Sequence, residues 1–159
     1  MLSSRVQGRP VSVAAYTVTD TQLTTAPDGT GGATTSTTTS THYYTVTVAA
    51  LARSMPPTAV EPRGAMSRLA RTVLRPGDCA TGNAVFDRRF RIRTSDPAAV
   101  HGWCTPQLIA AHLDRHLPTW STYATELFTY QTGRLDPTTI PHHTSQVVLL
   151  AALLDQTAT

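Results

Sequence analysis

Phe86-Asp87-Arg88-Arg89-Phe90-Arg91-Ile92-Arg93 alternates between two kinds of side chain. Read with a period of two, Phe86, Arg88, Phe90 and Ile92 share one face, and Asp87, Arg89, Arg91 and Arg93 share the other. That is the pattern of a strand with one face on a core and one in water. It predicts a strand over 86–93 and a positive face made of Arg89, Arg91 and Arg93, with Arg88 reaching an edge or a carboxylate.

Working outward, the same logic finds more strands. Val11, Val13 and Ala15, followed by Thr17, Val18 and Thr19, predict a strand over 10–20. In 42–50, Tyr44, Val46, Val48 and Ala50 face one way and Tyr43, Thr45 and Thr47 the other. Between them, 23–41 carries Pro27-Asp28-Gly29, Gly31-Gly32 and a Thr/Ser tract. With almost nothing to bury, this segment reads as a flexible Thr/Gly-rich hairpin loop. Pro56-Pro57 breaks the chain before a short strand at 59–61. A brief helix is expected over 67–74, with Leu69 and Val73 inside and Pro76-Gly77 ending it.

On the other side, Thr105 caps a helix that has Pro106 at its first position, where a missing N–H costs nothing. Leu108, Ile109, Leu113 and Leu117 form its buried stripe, and Pro118 stops it. Residues 120–125 and 126–133 suggest a hairpin rich in aromatics: Trp120, Tyr123, Phe128 and Tyr130. Asp136-Pro137 repeats the cap signature. The last helix, 145–156, is apolar nearly all round and needs a sheet or a partner to cover it. The summed order is β-β-β-α-β-α-β-β-α. It predicts one α+β domain over 1–159, with an antiparallel sheet of about five to six strands packed against two or three helices.

Composition bounds the function. The chain has 159 residues, enough for one core. All 13 basic residues are arginine, which fits the codon usage of a GC-rich, actinobacterial-type genome. A net charge of +3, with 14% charged residues, is too mild and too dispersed for a dedicated nucleic-acid binder. The 40% hydrophobic fraction excludes global disorder. Cys79 and Cys104 sit in no CxxC pattern, and residues 1–10 lack the apolar stretch of a signal peptide. The longest apolar run, 147–154, is far shorter than the roughly 20 residues that span a bilayer. A cytoplasmic chain is expected, free or at the membrane face.

Phe86 to Ile92, followed by Asp96 and then by Cys104-Thr105-Pro106 opening a helix, resembles a bacterial domain-of-unknown-function family, number three-one-three-seven. Its members carry an aromatic, a small polar residue, two basics, an aromatic, a basic and an aliphatic, then Asp and Leu-Thr-Pro. The resemblance runs from Asp78 to Leu117. Asp87 replaces the more usual Asn, and Trp103-Cys104 replaces an aliphatic pair. The resemblance implies a similar order of elements, often preceded by membrane-spanning segments, and it implies no catalytic residues.

Three groups of residues bear on chemistry. His112 and His116, four apart, would share a helix face, and His142 and His143 supply further nitrogens, but no HExxH is present. Cys104 precedes a helix N-terminus, where a thiolate would be stabilised, yet no Gly-rich elbow accompanies it. Arg89, Arg91 and Arg93, with a second patch at Arg68, Arg71 and Arg75, could meet anionic lipid headgroups, RNA or an acidic protein. No GxGxxG, Walker motif or acidic metal cluster occurs. These residues point to a non-catalytic binding domain without a cofactor, its partner a protein or an anionic lipid surface rather than nucleic acid. A homodimer through the C-terminal helix is a further expectation. The alternative is a metal- or thiol-dependent enzyme built on His112, His116 and Cys104.

Overall fold

Valine and threonine fill more than a third of the first 60 positions, and the described backbone there is almost entirely extended. The computed structural model describes residues 1–27, 29–63, 78–114 and 116–156. Its strands are β1 (Leu2–Val6), β2 (Arg9–Pro27), β3 (Ala33–Pro62), β4 (Asp78–Cys79), β5 (Phe90–Thr94) and β6 (Trp120–Thr132). The helices are α1 (Ala84–Arg89), α2 (Val100–Trp103), α3 (Pro106–Leu113) and α4 (Ile140–Asp155), with a 3-10 turn at Pro97–Ala99. The fold is α+β. All pairings are antiparallel, in the order β1-β2-β3-β5-β4, and β6 also lies on β3. The helix expected over 67–74 and the patch at Arg68, Arg71 and Arg75 lie outside the described residues.

β3 is the backbone of the sheet. Its first part pairs with β2 and β6, and its last part with β5 and β6. Pro56 and Pro57 do not end it. The ladder to β6 slips between Ala50 and Met55 and again before Thr58, and the Pro56 carbonyl accepts from Thr58 Oγ at 2.9 Å and Thr122 Oγ at 3.1 Å. These irregularities let one strand bend around the core. The expected hairpin within 120–133 is likewise a single strand. Its centre, Thr125-Glu126, has no residue suited to a tight turn, and the chain only kinks at Ala124, φ 53°.

The octapeptide from Phe86 to Arg93 is where expectation and structure part. Its first half is the helix α1 and its second half the strand β5. Asn83 explains the switch: its side chain accepts from the N–H groups of Val85 (3.1 Å) and Phe86 (3.0 Å), starting a helical turn. Phe86 and Phe90, four apart, stack at 5.1 Å across that turn.

The cap at Thr105 forms as expected, with Oγ accepting from Leu108 N–H at 3.2 Å. α3, however, ends at Leu113, and Leu117 is buried from the following loop. α4 begins at Ile140, earlier than expected, with Pro141 in its first turn. It lays Val147, Val148, Leu150, Ala151, Leu153 and Leu154 into the core. Its C-terminal end is tied down by Arg53, which donates to the Leu154 carbonyl at 2.7 Å, and by Asp155, which pairs with Arg9 at 2.6 Å. No helix among the described residues is long and apolar enough to cross a membrane.

Candidate functional site

The arginine face does not assemble as the strand reading predicts. Arg89 closes α1 and is exposed, donating through Nη1 to the Leu113 carbonyl at 3.4 Å. Arg91 and Arg93 do share a face of β5, but that face looks onto Glu61, which is 1% exposed. Their Nε atoms stand 3.3 Å and 3.5 Å from the same carboxylate oxygen, and the two side chains are only 21% and 15% exposed. A buried carboxylate needs such partners to remain charged. Two of the three arginines are therefore committed to holding β5 against β3, where Glu61 pairs with Arg91 in the ladder.

The histidine pair is also separated. His112 lies on α3 and is buried, whereas His116 follows the end of that helix and is exposed. Trp120 Nε1 donates to His112 Nε2 at 2.9 Å, so the proton of the neutral ring sits on Nδ1, which has no hydrogen-bond partner among the described residues. Phe86 and Phe90 enclose the ring, with centroids at 5.6 Å and 5.1 Å. Burial holds its pKa down, from 6.5 to about 4. Among the described residues, no three His, Cys, Asp or Glu side chains gather as a metal site would require.

Cys79 and Cys104 are free thiols. Burial pushes the Cys104 thiol up to about 12, and the Asp87 carboxylate and Cys79 push the same way. The expected stabilisation of a thiolate by the helix N-terminus is outweighed by desolvation. Asp87 is turned to local structure, accepting from Thr81 N–H (3.0 Å), Thr81 Oγ (2.9 Å) and Gly82 N–H (3.2 Å).

The element that stands apart is the segment expected to be a loop. β2 and β3 pair continuously from Val11 with Ala49 to Pro27 with Ala33, so 23–27 and 33–41 are strand. Thr and Ser bury little, but β-branched Thr favours the extended state, and the ladder satisfies every second N–H and C=O. Gly29 (φ 74°) and Gly31 (φ 89°) supply the left-handed conformations of the turn.

At its root this ribbon is anchored. Tyr16 and Tyr44 stack across the strands at 5.1 Å, and Arg134 covers the Tyr43 ring at 4.3 Å while donating to its hydroxyl at 3.0 Å. Beyond the root every described residue of 21–27 and 29–43 is exposed, including Leu23 at 70%. β1 covers β2 only as far as Val13, and β6 covers β3 only from Tyr44 onward. Residues 17–27 and 33–42 thus form a two-stranded arm whose outer edges have no strand beside them among the described residues. Sequence reasoning missed it by treating polarity as disorder; the density of threonine in 17–25 and 34–41 was the signal.

No family model matches this chain, and neither the curated proteins nor the solved structures contain a match.

Proposed function

We propose that this chain is a non-catalytic binding domain whose contact element is the arm formed by 17–27 and 33–42. What carries the reading is that the arm is ordered into a long ladder yet places no side chain in the core. Ordering a backbone residue costs about 1–2 kcal/mol, and here no apolar burial offsets it. An edge with open N–H and C=O groups is also the standard template for an added strand. The catalytic alternative is weakened by the burial of His112, the distance of His116 from its helix and the raised Cys104 thiol. Of Arg89, Arg91 and Arg93 only Arg89 is exposed, and it lies at the far end of β3 from the arm, beside Pro62 and Arg63, so it forms no part of this contact element. The likeness of residues 78–117 to the domain-of-unknown-function family is part of the same proposal, and it assigns no catalytic residue that would conflict.

The test is to remove residues 20–40 and join Thr19 to Thr41, which face each other in the ladder, through Asn-Gly. The shortened chain is expected to melt within a few degrees of the intact one, because no core contact is removed. Any association of the intact chain with itself in sedimentation is expected to be lost. A shortened chain that unfolds, or that associates unchanged, overturns the reading.

A further inference from the structure

We infer that the arm's partner is a second copy of this chain, joined through the outer edge of β3 in an antiparallel pair centred on Thr38. The inference rests on the reading of the arm as the contact element, and three observations lead from there to self-pairing.

The first is where the edge begins. β6 runs along β3 to Tyr44, and Gly133 N–H donates to the Tyr43 carbonyl at 2.8 Å, closing that ladder. From His42 to Ala33 the same edge of β3 continues with no strand beside it among the described residues. An incoming strand would extend the sheet from the point where β6 leaves off.

The second is the chemistry of the two edges. β2 carries Asp20, whose carboxylate stands 3.9 Å from His42 Nε2 across the ladder, and its outer edge ends at Pro27, which has no N–H to donate. Charge and proline are the features that keep natural edges from pairing. On β3, residues 33–41 contain neither. A second copy therefore meets no like charge there, although the whole chain is positive at +3.

The third observation points to this chain itself as the partner. Thr35-Ser36-Thr37-Thr38-Thr39-Ser40-Thr41 reads the same in both directions. In a two-fold symmetric antiparallel pair each strand meets its own sequence reversed, so the interface is isologous. Centred on Thr38, the pairing sets Thr35 against Thr41, Ser36 against Ser40 and Thr37 against Thr39 of the second copy. Every opposed pair is hydroxyl against hydroxyl of equal size, and Thr–Thr pairs of this kind support a sheet. Within one chain the arm already shows such a contact, Thr25 Oγ to Thr35 Oγ at 3.4 Å. Two arms joined this way make a four-stranded ribbon, and ribbons of three or more strands are far less marginal in water than a lone hairpin.

Two charge variants test this. Thr37→Lys/Thr39→Lys places lysine against lysine twice across the two-fold axis, and Thr37→Glu/Thr39→Glu does the same with glutamate. Sedimentation of the intact chain should show a concentration-dependent dimer, and each variant alone should dissociate on the order of tenfold more readily. Mixed in equal amounts, the two should dimerise again, since each opposed pair is then Lys with Glu. Merely disturbing the arm would not produce that recovery. A monomeric intact chain, or a dimer that neither variant weakens, or variants that fail to recover on mixing, overturns self-pairing. A chain lacking 20–40 that unfolds overturns the arm as a contact element and self-pairing with it, whereas a chain lacking 20–40 that keeps its melting temperature while the intact chain is monomeric overturns self-pairing alone.

Discussion

Acidification should reveal His112 as the group that most strongly couples this fold to pH. The ring is enclosed by Phe86, Phe90 and Trp120, and its Nε2 accepts the Trp120 indole N–H. A protonated imidazole would lose that acceptor and leave a charge among aromatic rings. Its pKa accordingly falls from 6.5 to about 4 on folding. Because the folded value is the lower one, the unfolded chain binds the proton first. Stability from this group is fully present above pH 6.5, declines as pH falls through the window between the two values, and is lost below about 4. At about 1.4 kcal/mol per pH unit, the window amounts to roughly 3 kcal/mol, a large share of a small domain's stability.

The perturbation that isolates this effect is His112→Gln, whose amide oxygen can take the place of Nε2 but does not titrate. At pH 7 the variant should be less stable than the parent, because it loses the ring contacts. Urea unfolding followed by tryptophan fluorescence at pH 7, 6, 5 and 4 gives the difference between the two chains, and carboxylates common to both cancel. The difference should shrink by roughly 3 kcal/mol toward pH 4. A difference that stays constant with pH would refute the assignment of His112 as a buried neutral ring.

Two further outcomes follow from other buried groups. Glu61→Gln removes the charge that Arg91 and Arg93 share, and denaturant unfolding should show a loss of about 2 kcal/mol. That is below the figure for a fully buried pair, since both arginines keep some contact with water. Cys104, with its thiol pushed up to about 12, should react with a thiol reagent at pH 8 about a thousandfold more slowly in the folded chain than in urea. Labelling of a Cys79→Ser variant followed by mass spectrometry reads this directly, and fast labelling of the folded chain would contradict the burial.

Much of the α+β architecture is readable from local chemistry. Val11 and Val13 do turn inward, Thr105-Pro106 does open a helix, and the apolar run of 147–154 does supply the largest helical share of the core. What misleads is ambiguity of period. Phe86 and Phe90 are two strand repeats apart and also one helical turn apart, so the same octapeptide satisfies both templates. The deciding residue, Asn83, lies outside the pattern that it sets. Glu61 is a second case: the sequence offers Asp87, Asp96 and Glu61 alike as partners of the arginine face, and nothing local selects Glu61 as the one that Arg91 and Arg93 share. Only the β3–β5 register brings Glu61 opposite Arg91, and register is a tertiary fact.

The arm shows where a compositional rule and a conformational one disagree. Low apolar content says that residues 23–41 cannot repay the cost of ordering, and for an isolated loop that is sound. Here the two flanking strands are already held, by Val11 and Val13 on one side and Ala49 and Leu51 on the other, so the ladder need only propagate outward from a fixed root. Each added pair then orders residues that already favour the extended state. Such a ladder gains its backbone hydrogen bonds but buries no apolar surface, so its stability must fall toward the tip. Whatever covers its edge would raise that stability most where the chain alone leaves it least, and protection of the 33–42 amides against exchange should therefore rise with protein concentration if a second copy is what covers it.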